Sequence, residues 1–375
     1  MKNTFWMTGL WMTGAAALVL AASSHTHGAE QTTVAVTAEP AGSFITDDEL
    51  ELSTPDTWGE WGINLDTMDT SVHPGDNFYR YMNGNWLDTF EIPSDRSRYG
   101  SFSLLAEKSE QRVRSIIESL AAAKPDPATL EGKVAAIYNA FMDTDAIEAA
   151  GLEPLAALQA QIDAIESRED LALAFGTQGL YAPFGGWVDV DSKQTDQYIF
   201  YMGYGGLGMG DRDYYLKDTE KNLELRKQYL DMVATLLAEA GYEDPQAAAQ
   251  RVFDLEKEMA KAHWDRAAGR NRNITYNKMS REALRELAGD FPVDAAMATM
   301  GMDFIEELVV RQVTPTAEEA EEYGLSEDQL EKVSGGGVAG VFQVANSYDL
   351  DAWKALLDVR LIAGNASVLP KRIDD

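Results

Sequence analysis

Cysteine is absent from this chain, which removes disulfides, thiolate zinc sites, iron–sulfur clusters and cysteine nucleophiles at once. Histidine is almost absent as well, with only His25, His27, His73 and His263 among 375 residues. Basic side chains are scarce: 31 Lys and Arg face 62 Asp and Glu, for a formal net charge of −31. Neutralising phosphates takes clustered Lys and Arg, so this balance argues against nucleic-acid binding and against docking on anionic lipid. Long apolar runs are missing after the N-terminus, so no later segment is expected to span a bilayer. What remains is a globular composition, 45% apolar, 25% charged and 10% aromatic, sufficient for one large domain or two.

The N-terminus has the layout of a secretory signal peptide over residues 1–29: Lys2, an apolar run from Phe5 to Ala22, then small or polar residues ending at Gly28-Ala29. The competing reading is a membrane anchor, but Thr4, Thr8 and Thr13 dilute the run below what a spanning helix needs. Cleavage after Ala22 or Ala29 yields an exported protein, periplasmic or extracellular, with no membrane association. Cleavage after Ala29 also removes His25 and His27, leaving two histidines. Residues 30–57 are Thr-, Ala- and acid-rich with Pro40 and Pro55 and read as a flexible leader. The folded part is expected to begin near Trp58 and to run to residue 375.

The periodicity of that part predicts a mostly α architecture. Leu104, Leu105, Val113, Ile116, Ile117 and Leu120 recur at helical spacing until Lys124-Pro125 stops the pattern. A second helix is expected from about Ala128 to Ala149, with Asp143-Thr144-Asp145 as a point of interruption. Further helices are expected over 152–165, 168–180, 219–241, 245–266, 280–288 and 349–363. Trp187 to Asp191 alternates apolar and acidic side chains, and Tyr198 to Met202 is aromatic and β-branched, which predicts a small β-hairpin. A third strand is expected at Val338 to Val344. The Glu-rich 311–337 segment, ending in Gly335-Gly336-Gly337, reads as an exposed excursion with a short helix. The helix over 349–363 carries Trp353, Leu356, Leu357, Leu361 and Ile362 near the end of the sequence, and is expected to present an orphaned apolar face.

Most motif-level chemistry is excluded by what the motifs lack. Gly203, Gly205 and Gly208 match G-x-G-x-x-G after a predicted strand, but no helix opens within the motif to meet a pyrophosphate, and Asp211 and Asp213 would face it. A structural loop is the better reading. His263 lies on a predicted helix with Met259 and Ala267 at i−4 and i+4, His73 sits in a turn before Pro74, and H-E-x-x-H occurs nowhere. The chain therefore holds no recognisable zinc centre, and no catalytic residue or cofactor is assigned to it. No G-x-S-x-G elbow is present, and with 62 acids no carboxylate pair stands out for glycoside chemistry.

The densest signal is the stretch from Ile63 to Phe102. Its aromatics, broken by Gly and Pro, predict a tightly packed, non-repetitive segment. Within it Arg98 precedes Tyr99-Gly100, where a guanidinium could bind a carboxylate in bidentate fashion or serve one of many structural ion pairs.

At these residues the sequence resembles the neprilysin and endothelin-converting-enzyme family of zinc metallopeptidases, in its N-terminal region. The resemblance is carried by Asp76-Asn77-Phe78-Tyr79-Arg80-Tyr81, Gly84-Asn85-Trp86-Leu87, Ile92-Pro93 and Ser97-Arg98-Tyr99-Gly100. It continues through Leu207-Gly208, Asp211-Arg212-Asp213-Tyr214-Tyr215, Ala262-His263-Trp264 and Thr275-Tyr276-Asn277-Lys278-Met279, in the same order as in the family. It implies a multi-helical capping lobe within a two-lobed architecture, with a chamber that admits peptides. It implies zinc and proteolysis for the intact protein, through H-E-x-x-H and a downstream Glu that this chain does not contain. The chain is accordingly expected to stop before the catalytic domain and to be inactive alone, with peptide substrates and a C-terminal catalytic half as its partners.

The resemblance also implies that Arg98 binds the C-terminal carboxylate of a substrate. The acidic residue that some members carry a few positions later is Ser103 here, and Gly75 and Asn83 stand where animal members have cysteines. Two rival roles are a stand-alone peptide-binding or inhibitory module and one subunit of a split peptidase.

Overall fold

The structure, a computed structural model, describes residues 64–374. The expected signal peptide, the leader and the start near Trp58 lie outside the described residues. The chain divides into two compact units, the first ending at Ala140 and the second running from Phe141 to Asp375.

The first unit contains α1 (Phe78–Thr89), α2 (Ser101–Ala123) and most of α3 (Leu130–Met142). Asn77 caps α1 by accepting the Arg80 amide at 2.9 Å, and Lys124 ends α2 in the left-handed region at φ 49°. The helix α1 was not expected: the segment was read as non-repetitive. Nor is the segment tightly packed throughout, since Phe78 and Tyr79 are each 64% exposed. Its motif residues serve a local clasp. The Asn85 side chain donates to the Met68 carbonyl at 2.7 Å. A Cβ on Gly84 would come within 2.3 Å of the Asp69 Cβ, so only glycine permits this approach.

The second unit begins with α4 (Thr144–Ala150), α5 (Ala156–Asp163) and α6 (Arg168–Gly176), then the hairpin β1 (Phe184–Asp191) and β2 (Gln194–Tyr204). There follow α7 (Arg212–Leu216), α8 (Glu220–Glu239), α9 (Pro245–Ala262), β3 (Asn277–Ser280), α10 (Arg281–Ala288), α11 (Val293–Thr299) and β4 (Glu307–Val310). The unit closes with α12 (Ala317–Glu322), α13 (Glu327–Lys332), α14 (Gly337–Ser347), α15 (Leu350–Asn365) and α16 (Lys371–Asp374). Cap chemistry explains many boundaries. Ser167, Thr219 and Asp244 accept the third amide of α6, α8 and α9, and Thr316 with Glu319 forms a capping box on α12. Asp143 likewise separates α3 from α4 by accepting the Ala146 amide. The expected helical fold with a small β element is what the chain adopts.

The sheet is larger than the predicted hairpin. Its order is β1-β2-β4-β3, with β1/β2 and β3/β4 antiparallel and β2/β4 parallel. The strand expected at Val338 to Val344 is instead helix α14. Its β-branched residues suggested a strand, but Val338, Val341, Phe342 and Ala345 are the buried ones, a 3–4 spacing that only a helix buries on one side.

A second correction concerns α15. Trp353, Leu356, Leu357, Leu361 and Ile362 are all at most 1% exposed, so the face expected to be orphaned lies at the centre of the core. Trp353 meets Phe175 edge-on at 5.1 Å between ring centroids, Phe175 meets Phe184 at 5.8 Å and Phe184 meets Phe342 at 4.9 Å. The 311–337 segment is docked as well as exposed: Val333 packs with Trp264 and Ile274 in a small second cluster. Among the described residues no helix is long and apolar enough to cross a membrane.

Candidate functional site

Arg98 lies between two residues that are both tied to Glu107 of α2. The Tyr99 hydroxyl donates to Glu107 Oε2 at 2.6 Å, and Arg96 forms an ion pair with Glu107 Oε1 at 3.3 Å. The hydrogen bond to Glu107 raises the Tyr99 pKa above its ordinary value. The Tyr99 ring lies 4.6 Å from Phe90, which stacks on Trp86 at 4.8 Å. The end of α1 and the start of α2 are thereby fixed against each other.

Arg98 itself is exposed and forms no hydrogen bond or ion pair among the described residues. Nearby Arg80, by contrast, is paired, with its Nη2 at 2.5 and 2.6 Å from the two oxygens of Asp88. The first turn of α2 also carries no acid, so the partial positive charge of its amides is not offset there. The arrangement can receive a carboxylate. Gly100 contributes less than its place suggested: its φ of 176° is extended backbone, and a Cβ there would meet nothing within 4 Å.

The glycine motif and the tyrosine motif belong to one buried hub in the second unit. Glu256 of α9 is fully buried and accepts four hydrogen bonds: from the Gly208 amide at 3.0 Å, the Tyr215 hydroxyl at 2.8 Å, the Tyr229 hydroxyl at 2.5 Å and Arg360 Nη2 at 2.7 Å. Burial, followed by the Glu256 charge, pushes both tyrosine pKa values far up. A Cβ on Gly208 would stand 2.0 Å from the Tyr229 hydroxyl. The Gly203–Gly210 loop is therefore held by a carboxylate, and its closest-packed glycine is filled by a tyrosine, leaving no phosphate cradle.

His263 and the Thr275-Tyr276-Asn277 run are also accounted for locally. The His263 ring stacks on Tyr204 at 3.9 Å, and burial, reinforced by Arg212, lowers its pKa to about 4. Tyr276 donates to Asp191 Oδ1 at 2.8 Å and Asn277 to the Val310 carbonyl at 3.0 Å, which ties β3 to the hairpin and to β4. His73 Nδ1 accepts the Gly75 amide at 3.1 Å in its turn. Neither histidine has the two further donors that zinc requires, and no group of three His, Asp or Glu capable of holding a metal exists among the described residues. The residues present do not fit the zinc implied by the resemblance.

These features together describe a helical, mixed-sheet scaffold that commits many of its motif residues to architecture and leaves the Arg98 guanidinium without a partner among the described residues. The sequence model of peptidase family M13 matches residues 74–375, and the chain belongs to that family. It is similar to endothelin-converting enzyme 1 of Cavia porcellus, 26% identical over 235 residues, covering 60% of this chain and 31% of that protein. The corresponding protein of Rattus norvegicus is 28% identical over 238 residues, covering 60% and 30%. Among solved structures, the inhibitor complex of Mycobacterium tuberculosis zinc metalloprotease Zmp1 superposes with a TM-score of 0.68 at 27% identity, over 83% of this chain and 45% of that one. PepO of Lactobacillus rhamnosis, at 17% identity and a TM-score of 0.59 over 81% and 45%, shares the fold. The chain spans about a third of the length of the curated relatives it matches.

Proposed function

We propose that the chain, from about residue 58 to 375, is the N-terminal substrate-chamber portion of an exported zinc metallopeptidase that hydrolyses peptides, and that Arg98 receives the carboxylate at the C-terminus of the peptide. The observation that carries this reading is the free, exposed Arg98 beside two Glu107-anchored neighbours, in a chain matched to peptidase family M13 over residues 74–375. Zinc and the water-activating Glu would come from residues this chain does not contain, so the chain alone contributes binding and no cleavage. Export rests on the layout of residues 1–29.

The test is binding by the purified chain of one labelled hexapeptide in two forms. The form with a free C-terminal carboxylate is expected to bind at least tenfold more tightly than its C-terminal amide, with Arg98→Ala erasing the difference. Equal binding of the two forms by the unmodified chain would sink the assignment. Chelator-sensitive cleavage of a peptide library by the chain with added zinc would overturn the non-catalytic role.

A further inference from the structure

A cleft of about 540 Å³ opens in the second unit where the end of α5, the turn between α8 and α9 and the first half of α15 meet. Three carboxylates line it, Asp163, Asp351 and Asp358, together with two cations, Arg251 and Lys354, and Tyr242. No ion pair joins any of the five charged groups among the described residues. Lys354 gives one of its three protons to the Asp163 carbonyl at 2.9 Å and pairs with no carboxylate. In a protein where acids outnumber bases two to one, opposite charges that share a wall without pairing are held apart by the space between them.

The innermost charge is Asp358. It is only 4% exposed; Tyr242 donates to its Oδ2 at 2.8 Å, while its Oδ1 has no hydrogen bond among the described residues. A carboxylate oxygen at the wall of a cleft, without a donor, needs one from whatever enters. The backbone adds to that demand. Ala240 and Gly241 place the C-terminal end of α8 in the wall, where the helix dipole favours a positive charge. Of the two cations, Lys354 lies one turn before Asp358 on α15, whereas Arg251 is on α9 and exposed.

We propose that this cleft binds a small zwitterion, a free amino acid or short peptide, whose ammonium meets Asp358 and Asp163 and whose carboxylate meets Arg251. The volume is of the size that holds small-molecule ligands. A bare divalent cation is disfavoured, because no set of carboxylates here has metal-holding geometry among the described residues. The inference rests on the cleft alone, and no cleavage enters its test.

The test is calorimetric titration of the purified chain with alanyl-alanine, its N-acetyl form, its C-terminal amide, and free alanine. Alanyl-alanine or alanine is expected to bind saturably, the tighter of the two identifying the source of the zwitterion. Blocking either end of the dipeptide is expected to weaken binding at least tenfold. Arg251→Ala, at an exposed position, is expected to bring the dipeptide down to the level of its amide and to leave the amide unchanged. Asp358→Asn is expected to bring it down to the level of the N-acetyl form. Absence of saturable binding by both zwitterions, equal binding of blocked and free dipeptide, or an Arg251→Ala loss shared equally by the amide would each overturn the proposal.

Discussion

Helices α2 and α15 both carry apolar residues at helical spacing, and they end in opposite surroundings. No residue of α2 is buried; Phe102 is 89% exposed, and Leu105, Val113 and Ile116 are each about half exposed. Nine residues of α15 are buried. The amphipathic pattern thus reports that a helix has an apolar side and is silent on whether anything covers it. Exposed apolar surface of the α2 kind marks a place of association, whereas α15 supplies the energy that holds the second unit together.

The contrast can be broken most forcefully inside the second unit. Glu256→Ala would strand Arg360 without its counter-charge and leave two tyrosine hydroxyls and the Gly208 amide without an acceptor. A loss of about 3–5 kcal/mol is expected in denaturant unfolding. Leu356→Ala should cost a comparable ~2–5 kcal/mol through cavity formation. Hydrogen exchange is the sharper readout for both variants: amides of α9 and α15 should open together, while those of α2 keep their wild-type rates. Acceleration in α2 of the same size would show that the two units are one cooperative body.

The next effect depends on pH. The folded pKa of His263, about 4, lies below its ordinary 6.5, so the neutral ring stabilises the fold fully above pH 6.5. That contribution is lost as pH falls towards 4, by about 3 kcal/mol. His263→Gln should flatten the acid limb of a melting-temperature profile; an unchanged limb would refute the neutral buried ring.

Asp358 acts in the opposite sense. Burial first, then the Asp163 charge, raises its pKa to about 6, against the opposing Tyr242 hydrogen bond and Lys354 charge; Arg251 and Asp351 also line its cleft. Its ionised form costs stability, so this contribution is greatest below pH 3.8 and is lost as pH rises through about 6. Asp358→Asn is expected to stabilise the chain at pH 7 by about 3 kcal/mol and to leave it unchanged at pH 3.5. The smallest effect belongs to α2: Val113→Ser should alter stability by no more than about 0.5 kcal/mol, and a larger loss would mean that its face is covered in solution.

Legibility in the sequence followed the distance between interacting residues. Helices with strong periodicity, such as α2 and the side-chain-capped α8 and α9, were predicted within a few residues, and so was the β1/β2 hairpin, because turn, alternation and pairing lie close together. The sheet beyond the hairpin was missed, since β3 and β4 are four residues each and acquire their state only by pairing with each other and with β2. The Glu256–Arg360 and Tyr242–Asp358 contacts span 104 and 116 positions, and nothing local in a chain with 62 acids marks those two carboxylates. The orphaned face assigned to α15 failed for the same reason, because its covering residues come from α5, α8 and α9, with Phe175 of α6 against Trp353. Arg98 was singled out from its motif neighbours, while the engagement of Glu107 with Arg96 and Tyr99 instead of Arg98 was not legible in the sequence.

The position of α15 also sets a schedule. The core of the second unit is assembled around a helix that begins only at Leu350, and the Glu256 hub waits for Arg360. During synthesis, α5 to α14 can form locally but cannot close around their centre until α15 has emerged. Until then the surfaces that will receive Trp353 and Leu356 remain open to other partners, since such incomplete cores are prone to aggregate. The interval between the emergence of α6 and that of α15 is therefore the period in which this chain depends most on protection from its neighbours.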